Sequence, residues 1–440
     1  MVVQHNMQAA NANRMLNVTT SAQSKSTEKL SSGYRINRAA DDAAGLTISE
    51  KMRKQIKGLD RASTNAEDGV SAVQTAEGAL TEVHSMLQRM NELATQSANG
   101  TNSNTDRQAI QDEIDQLTTE IDRVSETTKF NETYLLKGDG ADKAHNVNAH
   151  DAGIDGVTLT DNGDTVDVTL KELKAGDKIS IAGKNYTIGA EATDGHALVD
   201  GQAGADGNDA TVGNGNTTAG TIKIGEGDVV SNGTKTLTVM KGVAGGIDDN
   251  DSTVITAKKA YQLETAEILK ASNIGTDTAA AADKNTGTLA DATNKFTLTK
   301  GKVNYNDALS FNLHVGADAD MTNKITVNID SMNSAGLGIK GIKADTEQDA
   351  TYAIDAIADA ISTVSSQRSA LGAVQNRLEH TINNLDNVVE NTTSAESRIR
   401  DTDMAEEMVN YSKNNILAQA GQSMLAQANQ SNQGVLSLLQ

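Results

Sequence analysis

Two long segments near opposite ends of this chain carry an almost unbroken repeat of apolar residues at every third or fourth position. They cover residues 59–94 and 354–389. Such spacing predicts long helices that each turn one apolar seam toward a partner helix, as in a coiled coil. The first seam consists of Leu59, Ala62, Ala66, Gly69, Val73, Ala76, Leu80, Val83, Leu87, Met90 and Ala94. The second consists of Ile354, Ile357, Ile361, Val364, Leu371, Leu378, Ile382, Leu385 and Val389.

Polar residues mark how these helices begin, end and align. Asp41 and Asp42 precede the first seam and are expected to cap its helix. A third apolar repeat at residues 110–124 follows a short polar link at residues 101–104, which predicts an antiparallel helical hairpin. Arg368 and Gln375 are the polar members of the second seam, and such residues can set the register between helices.

The middle of the chain has a different character. From about residue 138 onward Gly, Asp, Asn and Thr dominate, and short alternating runs predict strands separated by turns. The predicted strands are residues 165–170, 178–188, 221–224 and 235–240, with a helix at 261–271, a mobile loop at 201–220, and a hairpin formed by 311–315 and 325–329 that lies against the helices. The fold class is therefore mainly α at both ends, as a long antiparallel helical bundle, with a β-rich middle insert.

Both chain ends look like weak helices that need partners. Residues 1–45 are helix-compatible but sparsely apolar, with a break at residues 31–34. The last 40 residues carry many large apolar side chains on a chain end, where they would fray or face water if left alone. Both termini are therefore expected to stay unpaired in the monomer and to order when neighbours arrive.

The overall composition excludes several classes of function. The net charge of −21 disfavours binding to nucleic acid or anionic lipid. No apolar run approaches the 18 or so residues of a membrane span, and the first residues lack a secretory signal pattern. Aromatic residues make up only 2% of the chain, so any core must be aliphatic, which suits slender helix bundles.

No catalytic or metal-binding pattern is present. Cysteine is absent, and none of the seven histidines falls in a His-Glu-x-x-His motif. The acidic stretches at residues 248–251 and 318–320 lack the spacing of an EF-hand and are interpreted as solvated turns. The sequence therefore predicts neither an enzyme nor a cofactor.

Three motifs carry a family resemblance. Residues 30–46 read LSSGYRINRAADDAAGL, residues 397–405 read SRIRDTDMA, and residues 425–430 read LAQANQ. They resemble the N- and C-terminal hallmarks of bacterial flagellin, and the likeness covers roughly residues 1–138 and 305–440. The resemblance implies an extracellular filament subunit for motility, exported without a cleaved signal peptide by the flagellar export apparatus. It also implies partners: other copies of the chain, an export chaperone, the filament cap and the hook–filament junction proteins.

The resemblance further implies a division of labour along the chain. Residues 1–45 are expected to pair with residues 400–440 as a discontinuous terminal filament-core domain, with residues 46–140 and 305–399 as the helical shaft and residues 141–304 as a variable outer insert. Filament-core assembly is assigned to apolar residues of the two ends. These are Met7, Leu16, Met404, Met408, Leu417, Leu425, Leu436 and Leu439.

Residues 87–96 resemble the segment of many flagellins that Toll-like receptor 5 binds. The matching positions are Arg89, Leu93 and Gln96, with Glu113 on the neighbouring helix. Because Arg89, Leu93 and Gln96 lie off the apolar seam, they are expected to share an exposed face. Asn91 stands where strongly stimulating members of the family more often carry arginine.

Two other functions share parts of this pattern. A hook-associated junction protein of the flagellum would have similar ends but would not form long filaments alone. A coiled-coil adhesin or signalling protein unrelated to motility would form small closed oligomers. Electron microscopy of the purified protein separates both from a filament subunit.

Overall fold

The computed structural model describes residues 6–190, 209–212, 220–223, 229–231, 236–241, 244–282 and 294–437. The α-helices in this part of the chain are α1 (Met7–Ser32), α2 (Ala43–Ser97), α3 (Asn104–Thr127), α4 (Ala257–Ala271), α5 (Glu347–Arg400) and α6 (Met404–Ser437). The strands before α4 are β1 (Lys129–Phe130), β2 (Thr133–Tyr134), β3 (Asp139–Asn146), β4 (Thr158–Asp161), β5 (Thr165–Thr169), β6 (Lys178–Ile181), β7 (Lys184–Ile188), β8 (Asp209–Val212), β9 (Gly220–Lys223), β10 (Val229–Ser231), β11 (Thr236–Thr238) and β12 (Val254–Ile255). Those after it are β13 (Ala281–Ala282), β14 (Lys295–Thr299), β15 (Lys302–Asp307), β16 (Leu309–His314) and β17 (Lys324–Ile329). Helical ends and a β-containing middle confirm the predicted fold class.

The chain divides into two compact units. The first contains Met1–Val70, Asn312–Ile325 and Asn376–Gln440, and the second contains Ser71–Phe311 and Thr326–Gln375. Helices α2 and α5 each contribute residues to both units. The five-part division at residues 45, 140, 304 and 399 stays a prediction.

The first seam is confirmed, because each of its residues is buried along α2. The helix itself is longer than the seam and begins at Ala43. Asp42 caps it as predicted: its Oδ1 accepts a hydrogen bond from the Gly45 N–H at 2.8 Å.

The second seam is confirmed in part. Its fully buried members are Ile357, Val364, Leu371, Leu378 and Leu385, whereas Ile354, Ile361, Ile382 and Val389 are only half-buried. The first turns of α5 instead bury small residues, Ala353, Ala356 and Ala360. Alanine lets neighbouring elements approach a helix closely, and its small size hides its contribution in a search for large apolar residues.

Within the first unit, α2 and α5 run antiparallel and are joined by polar contacts beside an apolar cluster. Ser49 Oγ donates to Glu396 Oε1 at 2.7 Å, and Ser63 Oγ donates to Asp386 Oδ1 at 3.1 Å. Leu59, Ala62 and Leu385 form the buried cluster between them. The predicted hairpin, now β16 and β17, is present as a two-stranded sheet. Asn65 Nδ2 of α2 donates to the His314 carbonyl oxygen at the end of β16, at 3.0 Å.

Within the second unit, α2 and α3 form the predicted antiparallel hairpin. Ser103 caps α3 in a capping box with Asp106, in which each side chain bonds the other residue's backbone N–H. The carboxyl end of α3 is fixed to the loop after β17, since Asp122 accepts hydrogen bonds from the N–H and the hydroxyl of Ser334 at 2.7 and 2.9 Å.

The middle of the chain packs two small sheets and α4 around one apolar core. One sheet has the order β13-β14-β5-β4, all antiparallel, and the other has the order β12-β7-β6, in which β12 and β7 are parallel. Val168, Ile188, Ile268 and Leu298 are among the buried residues between them.

The strand predictions have mixed outcomes. Residues 165–170 and 178–188 are strands as expected, the latter a hairpin whose turn residues Ala182 and Gly183 both have positive φ. The predicted strands at 221–224 and 235–240 correspond to β9 and β11, and the predicted helix at 261–271 corresponds to α4. The loop predicted at 201–220 is wrong over residues 209–212, which form β8 and pair with β9; residues 201–208 and 213–219 lie outside the described ranges.

Candidate assembly and receptor surfaces

The two terminal helices pack against each other as an antiparallel pair. Asn6 Nδ2, at the start of α1, donates to the Ala428 carbonyl oxygen of α6 at 3.1 Å. Near the other end of α1, Lys29 Nζ lies 3.7 Å from Glu407 Oε2. Between these points the helices come close, since a Cβ atom on Gly421 would lie 3.3 Å from Leu16 Cδ1.

Helices α1 and α6 are thus paired within the single chain, and the expectation that these ends order only when neighbouring copies arrive stays a prediction. The pair is nevertheless thin: its buried side chains among the described residues of α1 and α6 are Ser26, Glu407 and Ala418. Two helices alone can cover only one face of each other, so the outward faces stay exposed.

The exposed outward faces contain four of the eight predicted assembly residues. Met7, Met404, Met408 and Leu417 are exposed, whereas Leu16 and Leu425 are half-buried in the pair. Leu436 lies in α6, but its side chain is outside what the structure describes, as is all of Leu439. The exposed apolar residues that the prediction omitted are Met15, Val18, Val409, Ile416 and Met424.

Exposed large apolar side chains are concentrated on α1 and α6, and these two helices bury few of their own residues. Met7 is 69% exposed and Ile416 is 67% exposed. Exposed apolar patches of this kind mark sites of protein–protein contact. We name the exposed large apolar residues of α1 and α6 the terminal face. They are Met7, Met15, Val18, Met404, Met408, Val409, Ile416, Leu417 and Met424.

The motifs at residues 30–46 and 397–405 contact each other, at the turn that follows α1 and the turn that precedes α6. Arg35 N–H donates to the Arg400 carbonyl oxygen at 2.7 Å, and Thr402 N–H donates to the Gly33 carbonyl oxygen at 3.0 Å. Tyr34 and Asp401 form an antiparallel β-bridge at the same point. Gly33 has a φ of 76°, a left-handed conformation that glycine adopts without strain and that ends α1 at the predicted break.

Side chains reinforce this junction. The Arg400 guanidinium lies 4.7 Å from the centre of the Tyr34 ring and bonds Glu50 Oε1 at 2.9 Å. Asp41 Oδ2 accepts the backbone N–H groups of Arg38 and Asn37 at 2.9 and 3.2 Å. The Arg38 N–H is the main cause that lowers the pKa of Asp41 below its ordinary value. The motif at residues 30–46 therefore encodes a fixed turn between α1 and α2.

The residues that resemble a receptor-binding segment lie in the second unit. Arg89 Nε donates to Glu113 Oε1 at 2.9 Å, and Arg89 Nη1 donates to Glu92 Oε2 at 3.2 Å. These two carboxylates, Glu113 first, raise the pKa of Arg89 above its ordinary value. Arg89, Glu113 and Gln96 are all exposed, so we name these three residues the arginine surface.

Leu93 does not lie on that surface, and the expectation that it is exposed is wrong. Its side chain is only 2% exposed. Helix α2 is covered here from more than one side, because Arg89 meets α3 while Ser97 Oγ donates to the Ala344 carbonyl oxygen before α5. The buried arc is therefore wider than a single coiled-coil seam and takes in Leu93. Asn91 is half-buried, and its side-chain oxygen has no hydrogen-bond partner in the described residues.

The acidic stretches form turns that use their own carboxylates. Asp248 is buried, not solvated as expected, and its carboxylate accepts the N–H groups of Lys241, Asn250 and Asp251 at 2.7 to 3.1 Å. Asp320 likewise accepts the Thr322 N–H at 3.0 Å. Within the described ranges, no group of three or more His, Asp or Glu side chains is placed to hold a metal ion. None of the helices in those ranges has the length and apolar character needed to span a bilayer.

Long paired helices with an unpartnered terminal face define a structural protein that associates with other chains. Family models agree: the bacterial flagellin N-terminal helical region matches residues 3–141, and the bacterial flagellin C-terminal helical region matches residues 354–439. A flagellin of Clostridium tyrobutyricum is 43% identical over 98% of this chain and 100% of its own length. Flagellin D of Vibrio cholerae is 37% identical over 99% of both chains. The chain belongs to the bacterial flagellin family.

Among solved structures, FliC from Burkholderia pseudomallei is 21% identical, with a TM-score of 0.27, over 70% of this chain and 99% of that one. A TM-score this low adds nothing to the assignment. Membership rests on the full-length relatives, and it makes the protein a structural subunit of the extracellular flagellar filament rather than an enzyme.

Proposed function

We propose that the terminal face is the surface through which copies of this chain assemble, and that assembly and the ordering of the ends are coupled. The observation that carries this proposal is the concentration of exposed large apolar side chains on α1 and α6, with Met7, Val409 and Ile416 each exposed by more than half. Covering them with neighbouring copies removes apolar surface from water, which stabilises the assembled state.

The coupling follows from the small core of the terminal pair. The helix pair buries little beyond Ser26, Glu407 and Ala418, and isolated helices without packing partners are marginal in water. Neighbouring copies would therefore supply most of the stability of α1 and α6. A terminal pair that frays easily in the monomer would slow spontaneous polymerisation.

The same marginal ends suit the export route implied by the family. A chain passed through the flagellar export apparatus has to be unfolded, and an export chaperone can hold the apolar ends until then. The filament cap and the hook–filament junction proteins are the further partners in this proposal, each meeting the terminal face or its continuation in a neighbouring subunit.

A truncation tests the assembly role. Removing residues 404–440 deletes α6 and leaves α2, α3 and α5 in place. We expect a soluble monomer whose circular dichroism retains the signal of the remaining helices and which forms no filaments under electron microscopy when seeds or salt are added. Filaments from the truncated chain would contradict the proposal.

A second candidate function is recognition by Toll-like receptor 5. It is supported by the arginine surface, where Arg89 and Glu113 are in direct contact and both remain exposed. An arginine held in place by two carboxylates loses little conformational freedom on binding, so it can serve as an anchor in an interface. Leu93 would act only indirectly, by holding α2 in place.

Substitution of Arg89 tests this second function. Arg89→Ala should weaken binding of the monomer to the receptor ectodomain in surface plasmon resonance, with unchanged circular dichroism. Arg123→Ala is the matched control, because Arg123 is also exposed in α3 and its ion pair among the described residues is with Glu120 of the same helix. Equal binding by both variants and the original chain would place the receptor contact elsewhere.

A further inference from the structure

A cavity of about 400 Å³ lies in the second unit, and its lining includes none of the residues of the arginine surface. Its walls come from α4, from the hairpin of β6 and β7, from the first turns of α5 and from the loops at residues 152–155 and 171–173. Its volume falls in the range of ordinary small-molecule sites.

One wall holds a buried carboxyl group without a partner. Glu264 of α4 is 4% exposed, and its Oε2 has no hydrogen-bond partner in the described residues. Its neighbour on the same helix, Glu267, shows the ordinary arrangement: Tyr352 Oη donates to Glu267 Oε2 at 2.6 Å, and Lys270 Nζ donates to its Oε1 at 2.8 Å. A buried polar group left unpaired is destabilising, so Glu264 needs an explanation that Glu267 does not.

The remaining walls are mixed in character. Lys171 and Lys178 line the same cavity, and so do the apolar side chains of Leu173 and Ile179. Lys171 Nζ lies 3.7 Å from Asp155 Oδ2, whereas Lys178 makes no ion pair within the described part of the chain. The cavity therefore presents one unpaired carboxyl, one unpaired ammonium and an apolar wall.

We propose that this cavity binds a small zwitterion of the α-amino-acid class with an apolar side chain. Its ammonium group would donate to Glu264, its carboxylate would pair with Lys178, and its side chain would pack on Leu173 and Ile179. This inference is independent of filament assembly and of receptor recognition.

The two opposite charges decide the class of ligand. A simple cation such as a polyamine would satisfy Glu264 but would meet Lys178, whose charge repels it. A simple anion would satisfy Lys178 and leave Glu264 unpaired. Burial also raises the pKa of Glu264 to about 7, so near neutral pH an arriving ammonium group can draw this carboxyl into its ionised form.

Isothermal titration calorimetry of the full-length monomer with L-leucine tests the proposal. We expect saturable binding to the original chain, and at least tenfold weaker binding of N-acetyl-leucine and of leucinamide, since each lacks one of the two charges. Glu264→Gln should weaken leucine binding at least tenfold, and Lys178→Gln severalfold. Lys184→Gln is the matched control, because Lys184 is exposed on the adjacent strand β7 and does not line the cavity.

Two results would overturn the proposal. One is the absence of a binding isotherm for leucine at millimolar concentration, which would leave the cavity to water. The other is binding that Glu264→Gln and Lys178→Gln both leave unchanged, which would place leucine elsewhere on the chain. Lys178 is exposed, so its substitution leaves the core intact and tests the site even if Glu264→Gln alters folding.

Discussion

Arg107 Nε donates to the Ser97 carbonyl oxygen at 3.0 Å and so joins the first turn of α3 to the last residue of α2. The same guanidinium bonds the carbonyl oxygens of Asn102 and Asn99 at 3.0 and 3.1 Å. Arg107 is buried, and its planar fork bonds three backbone acceptors, of which only the Asn99 carbonyl oxygen has a second donor within the described ranges, the Asn102 N–H at 3.2 Å. This side chain fixes the helical hairpin that carries the arginine surface.

Removal of Arg107 should therefore destabilise the hairpin strongly. Arg107→Ala leaves the carbonyl groups of Ser97 and Asn102 without their donor and removes one of the two donors to Asn99, and we expect the free energy of unfolding to fall by about 3 kcal/mol. Urea denaturation followed by circular dichroism measures the change. Arg123→Ala, on the exposed side of the same helix, should leave the midpoint nearly unchanged. Equal effects of the two substitutions would contradict the structural role of Arg107.

Two glycines of α2 should respond in opposite ways to alanine. A Cβ at Gly78 meets nothing within 4 Å, so Gly78→Ala should stabilise the helix by roughly 0.5–1 kcal/mol. A Cβ at Gly58 would lie 3.0 Å from Ala317 Cβ and 3.1 Å from its Cα. Gly58→Ala should therefore give no gain or a net loss. Both variants are measured as monomers by thermal denaturation. A similar gain from both would show that the backbone around Ala317, between β16 and β17, shifts enough to accept a Cβ at residue 58.

The terminal face should control filament growth without affecting the monomer. Ile416 is 67% exposed in α6. Its burial in a filament would contribute about 1.5 kcal/mol or more, so Ile416→Ser should raise the critical concentration for polymerisation about tenfold. Sedimentation of filaments measures this critical concentration. Gln419→Ser, at an exposed polar position of the same helix, should change it little, and an unchanged critical concentration in Ile416→Ser would remove this residue from the interface.

The buried Glu264 should make stability fall as pH rises toward neutrality. Burial raises its pKa from the ordinary 4.5 to about 7. Between these values the unfolded chain has released the proton while the folded chain retains it, so raising the pH favours unfolding. Above pH 7, Glu264→Gln should be more stable than the original chain by up to about 3 kcal/mol, with no difference below pH 4.5. The comparison of the two chains by urea denaturation across pH cancels the other titrating groups, and a pH-independent difference would contradict the shift.

Apolar periodicity and local helix-end signals predicted much of the helical part of the fold. The period of residues 59–94 placed every seam residue on the buried side of α2, and Asp42 and Gly33 marked helix ends where the structure has them. Arg368, predicted to set the register of the second seam, donates from Nη2 to Glu77 Oε1 of α2 at 2.8 Å. These features depend on residues close together in the chain or on a repeat, and both are visible in the sequence.

The sequence by itself therefore determined which helices form, which side of each is apolar and which family the terminal motifs resemble. The tertiary structure decided that Leu93 is buried, that Arg107 closes the hairpin, and that Glu264 faces a cavity with Lys178. The physical reason is that a periodic pattern specifies one contact face of a helix. How many partners cover that helix, and which polar groups they bring to it, depends on segments hundreds of residues away.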